Sequence, residues 1–451
     1  MSQTSDVVIC GAGITGIAAA YFLSKAGINK ILLVDERPPL SLTSDRSTEC
    51  YRNWWPDPEI LTLMNRSIDL MEVLADESGN VFRMNRRGYL YLTADESKLA
   101  DLETASRGIS SLGAGPMRVH SSSTLYYQRS APEGFRDQPT GADLLLGNEL
   151  IRKNFPYLTE RAIAALHIRR AGWLSAQQLG MYLLEAARRR GVRFEAGRVT
   201  AVDVANGCVE GVRLSSGECI DSPIFINAAG PYIKEVGKLV GVDLPVYTEL
   251  HLKAAIKDSL SVVGREAPLL IWTDPQVLPW EEEERAALAE DEETSWLTES
   301  FPSGVHTRPE GGSESQTILM LWEYRTKLIE PLWPPKMDDQ YPEITLRGLA
   351  AMLPRMKDYF GRIPRPQLDG GYYTKTRENR PLVGPMGAEG AYVIGAVSGY
   401  GIMSACGVGD LLAAHVTGAA LPAYAPAFEL SRYEDPEYRK RLENWGDEWQ
   451  L

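Results

Sequence analysis

The chain has 451 residues, and Lys+Arg 47 against Asp+Glu 60 leaves a formal net charge of −13. That acidity excludes a surface built for nucleic acid or an anionic membrane, because both require a basic footprint. A composition 44% hydrophobic and 24% charged is that of a globular protein, long enough for two or three domains of about 150 residues.

The five cysteines (Cys10, Cys50, Cys208, Cys219, Cys406) include no CxxC pair. The five histidines show no HxxxH or HExxH spacing. Neither a disulfide framework nor a metal centre is expected, and a reducing compartment is the simpler reading. The uncharged runs Val7 to Leu23 and Val393 to Gly409 are each about 17 residues, short of the ~20 that a spanning helix needs. No Lys or Arg precedes Asp6, so the N-terminus lacks the basic start of a signal peptide. The expectation is a soluble, cytoplasmic protein with no transmembrane segment.

The chain opens with an apolar run, Asp6 to Cys10, of the kind found in buried parallel strands. It enters Gly11-Ala-Gly13-Ile14-Thr15-Gly16. A helical pattern, Ile17 to Lys25, stops at Gly27, and a second strand, Lys30 to Val34, ends at Asp35. The three glycines fit a dinucleotide cradle. Gly11 makes the tight turn, Gly13 admits a pyrophosphate, and Gly16 lets helix and strand pack closely. Asp35 lies about 20 residues on, where a carboxylate accepts from a ribose hydroxyl. These features do not choose between FAD and NAD.

Downstream, Gln178 to Arg190 reads as a helix with Leu179, Leu183, Leu184 and Ala187 on one face and Gly191 as its stop. A strand follows at Val192 to Glu195. Two alternating runs, Val199 to Val204 and Val209 to Leu214, flank Asn206-Gly207, a hairpin signal. The run Ile224 to Gly230 ends in small residues, as a strand does when a ligand lies against its end. Strands are also expected at Leu244 to Lys257, Leu269 to Trp272 and Thr317 to Tyr324. The acidic stretch 281–293 reads as a solvated, helix-like insert. Trp272, Trp280, Trp296, Trp322 and Trp333 are candidates for an aromatic-lined pocket.

In four blocks the sequence resembles the superfamily of FAD-dependent oxidoreductases that holds D-amino-acid oxidase, sarcosine oxidase and glycine oxidase. The blocks are Gly11 to Gly16 through Asp35-Glu36-Arg37; Ile226-Asn-Ala-Ala-Gly-Pro231; Gly371 to Gly384; and Gly395 to Ile402. The resemblance implies an α/β fold: a Rossmann-like FAD-binding domain with an inserted antiparallel-sheet (α+β) substrate domain. By that map the flavin domain is discontinuous (1–82, 151–241 and 365–451), and 83–150 with 242–364 form the substrate domain.

The resemblance also assigns site residues. FAD would be held by Gly11, Gly13, Ile14, Thr15, Gly16, Asp35, Glu36, Arg37, Ser47, Thr48, Val199, Ala228, Ala229, Gly230, Gly399, Tyr400, Gly401, Ile402 and Met403. The block at Gly371 starts without the Cys of covalent relatives, and 46–55 contains no His, so non-covalent FAD is implied. Tyr373, Thr374, Arg52, Arg308 and Met403 are the candidates for the substrate side, with Lys253 and Lys375 as cationic helpers. The lysine that supports reaction with O2 in some relatives falls near Met320, which weakens the expectation of O2 as acceptor against another electron acceptor.

The activity implied is oxidation of a C–N bond in an amine or amino acid by hydride transfer to flavin N5, giving an imine. The alternatives are oxidation of a 2-hydroxy acid and a non-catalytic flavoprotein subunit.

Overall fold

The structure is a computed structural model, and it describes residues 3–121 and 127–446. A six-stranded sheet organises one half. Its order is Arg193–Ala196, Ile31–Asp35, Val7–Cys10, Phe225–Asn227, Ala391–Gly395, Leu382–Pro385. The first five strands run parallel and the last is antiparallel. Parallel strands buried on both faces need near-continuous apolar sequence, and these have it. Alternate residues face opposite ways. Val7, Ile9, Ile31 and Leu33 pack into one apolar cluster with residues of the helices Ile14–Lys25, Ala176–Arg188 and Gly401–Thr417. Val8, Leu32 and Val34 pack into another with Val202, Val212 and Ile220 of a four-stranded sheet. Each such side chain, fully buried, stabilises the fold by about 1.5–3 kcal/mol.

The expected helix at 178–190 spans Ala176–Arg188, with Ser175 capping it and Leu179, Leu183, Leu184 and Ala187 buried. Gly191 follows with a φ of +98°. Asn206 and Gly207 both take positive φ, as a two-residue hairpin turn requires.

The other half is a nine-stranded sheet. Its order is Gln367–Lys375, Tyr247–Lys257, Thr317–Leu321, His306–Pro309, Leu269–Trp272, Tyr89–Thr93, Ala164–Ile168, Ala142–Leu146, Met117–His120. Six of the eight pairings are antiparallel; Leu269–Trp272 with Tyr89–Thr93 and Met117–His120 with Ala142–Leu146 are parallel. One face buries Ala254, Ile256, Leu270, Trp272, Ile318 and Met320 in a cluster with the helix Tyr341–Leu349.

Two expected boundaries move. The strands Ala164–Ile168 and Gln367–Lys375 pair into the nine-stranded sheet, so the returns to the flavin side come after these strands rather than at 151 and 365. Periodicity marks a strand but does not say which of two sheets it joins. The strand expected over Thr317 to Tyr324 ends at Leu321. The insert at 281–293 forms the helix Glu282–Glu290, with no buried residue, as a solvated face does. No helix among the described residues is long and apolar enough to cross a membrane.

Candidate functional site

A cavity of about 720 Å³ lies between the two sheets. Its floor is the C-terminal edge of the parallel strands, where Cys10, Asp35, Gly197, Ala228 and Gly395 line it. This is where open α/β sheets bind their ligands. Residues of the nine-stranded sheet, among them His251, Lys253, Leu321, Tyr373 and Thr374, form the opposite wall.

The glycine turn has the geometry of a phosphate cradle. Gly11 sits at φ +114°, and a Cβ there would overlap the Ala228 carbonyl oxygen. A Cβ at Gly16 would overlap the Gly11 carbonyl oxygen, so Gly16 serves packing and does not line the cavity. Gly13 is different. It is the N-cap of the first helix, with φ −73° and ψ −179° and no side-chain cap. A Cβ there would meet only Ser44 Oγ, at 3.4 Å. The helix therefore presents its N-terminus to the cavity with Gly13, Ile14 and Thr15 on the wall. That is a ready anion site, from the positive end of the helix dipole and first-turn amides that lack a partner within the helix, although Ile14 N is taken by Ser44 Oγ. Asp35 accepts from Ala12 N at 2.8 Å and from Arg37 N at 3.0 Å, which fixes the strand end against the turn. Glu36, Arg37, Val199, Ala229 and Gly230 complete this end. The residues present fit a dinucleotide.

At the other end, the segment 41–48 lies against Gly371. Ser44 Oγ accepts from Ile14 N at 3.0 Å. Ser47 and Thr48 line the cavity, and their carbonyls are held from behind. Lys253 Nζ donates to Ser47 O at 2.9 Å, and Arg308 donates to Thr48 O through Nε at 3.2 Å and Nη2 at 2.8 Å. The loop 395–401 brings Gly399, Gly401 and Ile402 to the wall and starts the helix Gly401–Thr417. Ala396 and Ser398 take φ of +53° and +45°. Such strain persists only where the surroundings impose it. Here Ser398 N donates to Thr374 O at 2.9 Å, tying the loop to the opposite sheet.

Tyr373 and Thr374 line the cavity as expected. The other substrate-side candidates, Arg308, Arg52 and Met403, do not, nor does Lys375. Arg308 is fully buried, paired with Glu310 at 2.6 Å and stacked over Trp173. Arg52 is bound to the Tyr91 hydroxyl and lies 4.4 Å from the Trp55 ring centroid. Met403 is 6% exposed within the apolar cluster of the flavin-side helices. Tyr400, expected at the flavin, turns away; its hydroxyl donates to Asn379 O at 2.6 Å and its ring meets Trp55 edge-on. A helix start turns successive side chains to different faces, so only part of 399–403 meets the cavity. Trp272 and Trp322 are core, Trp280 and Trp296 pack beside that core, and Trp333 stacks on Arg46; none of the five lines the cavity.

Sequence reasoning missed His251, Leu321 and the two acids that flank His251. Their signal was the alternation Glu249, His251, Lys253, which resembles the solvated face of a strand. Leu321 reaches the cavity while its neighbour Met320 faces the core. Lys253 stands directly across from Leu321 by the register Ala254↔Met320, and burial lowers its pKa from the ordinary lysine value.

A parallel sheet with a glycine cradle at its edge, roofed by a second sheet, defines a dinucleotide-dependent redox protein. The chain belongs to the DAO family, "FAD dependent oxidoreductase", whose model matches residues 6–415. Mitochondrial dimethylglycine dehydrogenase of Mus musculus is 23% identical over 97% of this chain and 44% of that protein. The chain thus spans less than half the length of the curated relatives it matches first. L-proline dehydrogenase from P. horikoshii superposes with a TM-score of 0.73 at 18% identity, covering 96% of this chain and 99% of that one. Glycine oxidase from Geobacillus kaustophilus gives 0.72 at 17%, covering 96% and 99%. At these identities the structures share the fold.

Proposed function

We propose that the cavity binds FAD without a covalent bond and oxidises the C–N bond of a small amine or amino acid. The observation that carries the amine reading is the wall facing the flavin end: Tyr373 and Thr374 meet Gly399 and Leu321 across a cavity whose other end is the dinucleotide cradle. The relatives named as acting on dimethylglycine, proline and glycine support the same class.

FAD, when bound, supplies the acceptor for the hydride that leaves the carbon next to nitrogen. The chain supplies position and electrostatics. The Tyr373 hydroxyl makes no hydrogen bond to another described residue and is free to donate to a substrate carboxylate or accept from an amine. Burial raises its pKa, so it stays a neutral phenol. Leu321 adds an apolar side chain to that wall. The imine that forms hydrolyses in solvent, so no strong base is required of the cavity.

Non-covalent attachment is supported by the nucleophiles present. Cys50 does not line the cavity. Cys10 does, at the cradle end, where burial pushes its thiol up to about 12. Both ring nitrogens of His251 face carboxylates. A cytoplasmic location agrees with five free cysteines.

The test is anaerobic reduction of the yellow purified protein by a panel of N-methyl amines, cyclic imino acids and amino acids, followed by re-oxidation in air. Bleaching by 2-hydroxy acids alone would overturn the amine reading. Bound flavin that no compound reduces would make the chain a non-catalytic subunit. Re-oxidation in air within the turnover time identifies O2 as the acceptor; a flavin that stays reduced requires another one.

Gly399 gives a further check. A Cβ there would overlap the Tyr373 ring. Gly399→Ala is expected to displace that ring and lower kcat/KM by about 10²-fold, the usual cost of an ångström-scale misplacement, with flavin content retained. Unchanged kcat/KM would remove Tyr373 from the reaction.

A further inference from the structure

On the cavity face of the nine-stranded sheet, four charged side chains form a chain that the flavin-binding function does not use. Lys375 Nζ lies 3.0 Å from Glu249 Oε2. The same oxygen lies 3.1 Å from His251 Nε2, and His251 Nδ1 lies 2.7 Å from Glu323 Oε1. Both ring nitrogens therefore face carboxylates. Nε2 is hydrogen-bonded to Glu249, and Nδ1 is in ion-pair contact with Glu323 outside hydrogen-bond geometry; two carboxylates this close favour the imidazolium. Two cations and two anions balance. The His251 ring lies face-on against Tyr373, with centroids 3.6 Å apart and planes 12° apart. At the hydroxyl end of its ring Tyr373 abuts Gly399, where even a Cβ would not fit. The phenol ring is thus held on its face by His251 and at its hydroxyl end by Gly399, with the hydroxyl unpartnered among the described residues.

We infer that His251, held by Glu249 and Glu323, is a positioning residue: it fixes Tyr373 so that the phenol hydroxyl stands ready for the substrate, and the grip is lost when His251 gives up its proton. This rests on the amine reading for what the hydroxyl meets, but the grip itself is independent of the substrate.

The groups facing His251 are Glu249 on its own strand, Glu323 after the neighbouring strand, and Tyr373 from the other side. Lys375 lies behind Glu249, and His306 stands near Glu323. Burial opposes the charged ring, but Glu323 and Glu249 outweigh it, so the pKa of His251 is raised above 6.5. Burial likewise opposes the two carboxylates. For Glu323 it is outweighed by His251, His306 and Lys375, and for Glu249 by His251 and Lys375, so both are lowered. His251 is thus charged below its raised pKa, and its contribution to stability disappears as pH rises through that value. The acids contribute above the ordinary glutamate range and fail as pH falls through their lowered values. The grip is complete only between these limits, which take in the span from the ordinary glutamate value of 4.5 to the ordinary histidine value of 6.5.

Two arms test this. The first is NMR of the flavin-loaded protein with 13C-labelled histidine. One of the five histidine signals, identified by its absence in His251→Phe, should keep imidazolium character to higher pH than the others, and Glu323→Gln should shift its titration to lower pH. A His251 that loses its proton at or below 6.5 overturns the inference, even if amines reduce the flavin. The same arm stands if His251→Phe does not fold, because Glu249→Gln, which touches His251 and not His306, identifies the signal by its shift.

The second arm is a double-mutant cycle with an amine from the panel that reduces the wild-type flavin. His251→Phe and Tyr373→Phe should each lower kcat/KM by about 10²-fold, and the double variant should lose little more than Tyr373→Phe alone. Glu323→Gln should move the alkaline limb of the kcat/KM profile to lower pH. Additive losses, or an unmoved limb, overturn the inference. If the first arm succeeds and no amine reduces the flavin, the amine reading falls while the grip stands.

Discussion

Replacing Gly13 by aspartate should yield a folded, colourless protein. The backbone at Gly13 is extended and open to any residue. A new side chain would meet only Ser44 Oγ, 3.4 Å from its Cβ. Gly13 is also the N-cap of the helix Ile14–Lys25, which has no acidic residue in its first turn. Aspartate is a preferred cap, and its charge suits the helix dipole. The stability of the flavin-free chain should therefore change by no more than about 1 kcal/mol. The same carboxylate would occupy the space meant for a diphosphate and repel it. Visible flavin absorbance per mole of protein and the denaturant midpoint of the flavin-free forms measure the two effects. Wild-type flavin content in this variant would sink the cradle. Gly11→Ala is the contrasting case. Its φ of +114° and the overlap with Ala228 O place the cost in folding itself.

Replacing Arg308 by methionine should destabilise the fold rather than the Michaelis complex. Arg308 is wholly inaccessible, and removing it would strand Glu310, Glu49 at 3.6 Å, and the carbonyl of Thr48. Breaking a buried pair by deleting one partner costs about 3–5 kcal/mol, and the low end applies here because both acids keep some water contact. The Ser47–Thr48 segment loses its rear support, so flavin affinity should fall too. Urea unfolding and flavin titration check these effects. Intact stability with a raised KM would instead put the guanidinium in the cavity.

The flavin half was legible because its chemistry depends on backbone. Gly11, Gly13 and Gly16 sit in one local turn, and each role is a steric fact about that turn. The helix Ala176–Arg188 and the hairpin at Asn206-Gly207 were equally local, and both lie where the pattern placed them. The substrate wall was legible only in part. Tyr373 and Thr374 carry the family's block with them. Arg52 and Arg308 were plausible as carboxylate ligands because a lone arginine in sequence shows its charge but not its partner. In the fold Tyr91 and Trp55 hold one, and Glu310 and Trp173 hold the other.

While the choice of FAD came with the family's four blocks, local order along the chain was enough for the dinucleotide turn and the strand and helix alternation. These rest on steric and hydrogen-bonding rules that act over a few residues. The grip on Tyr373 was decided by tertiary structure alone. Glu249, His251, Glu323, Tyr373, Lys375 and Gly399 come from four separate segments, and nothing in the spacing between them says they touch. Strand register brings them together: a shift of one residue between Tyr247–Lys257 and Gln367–Lys375 would turn His251 to the opposite face, away from Tyr373 and Glu323.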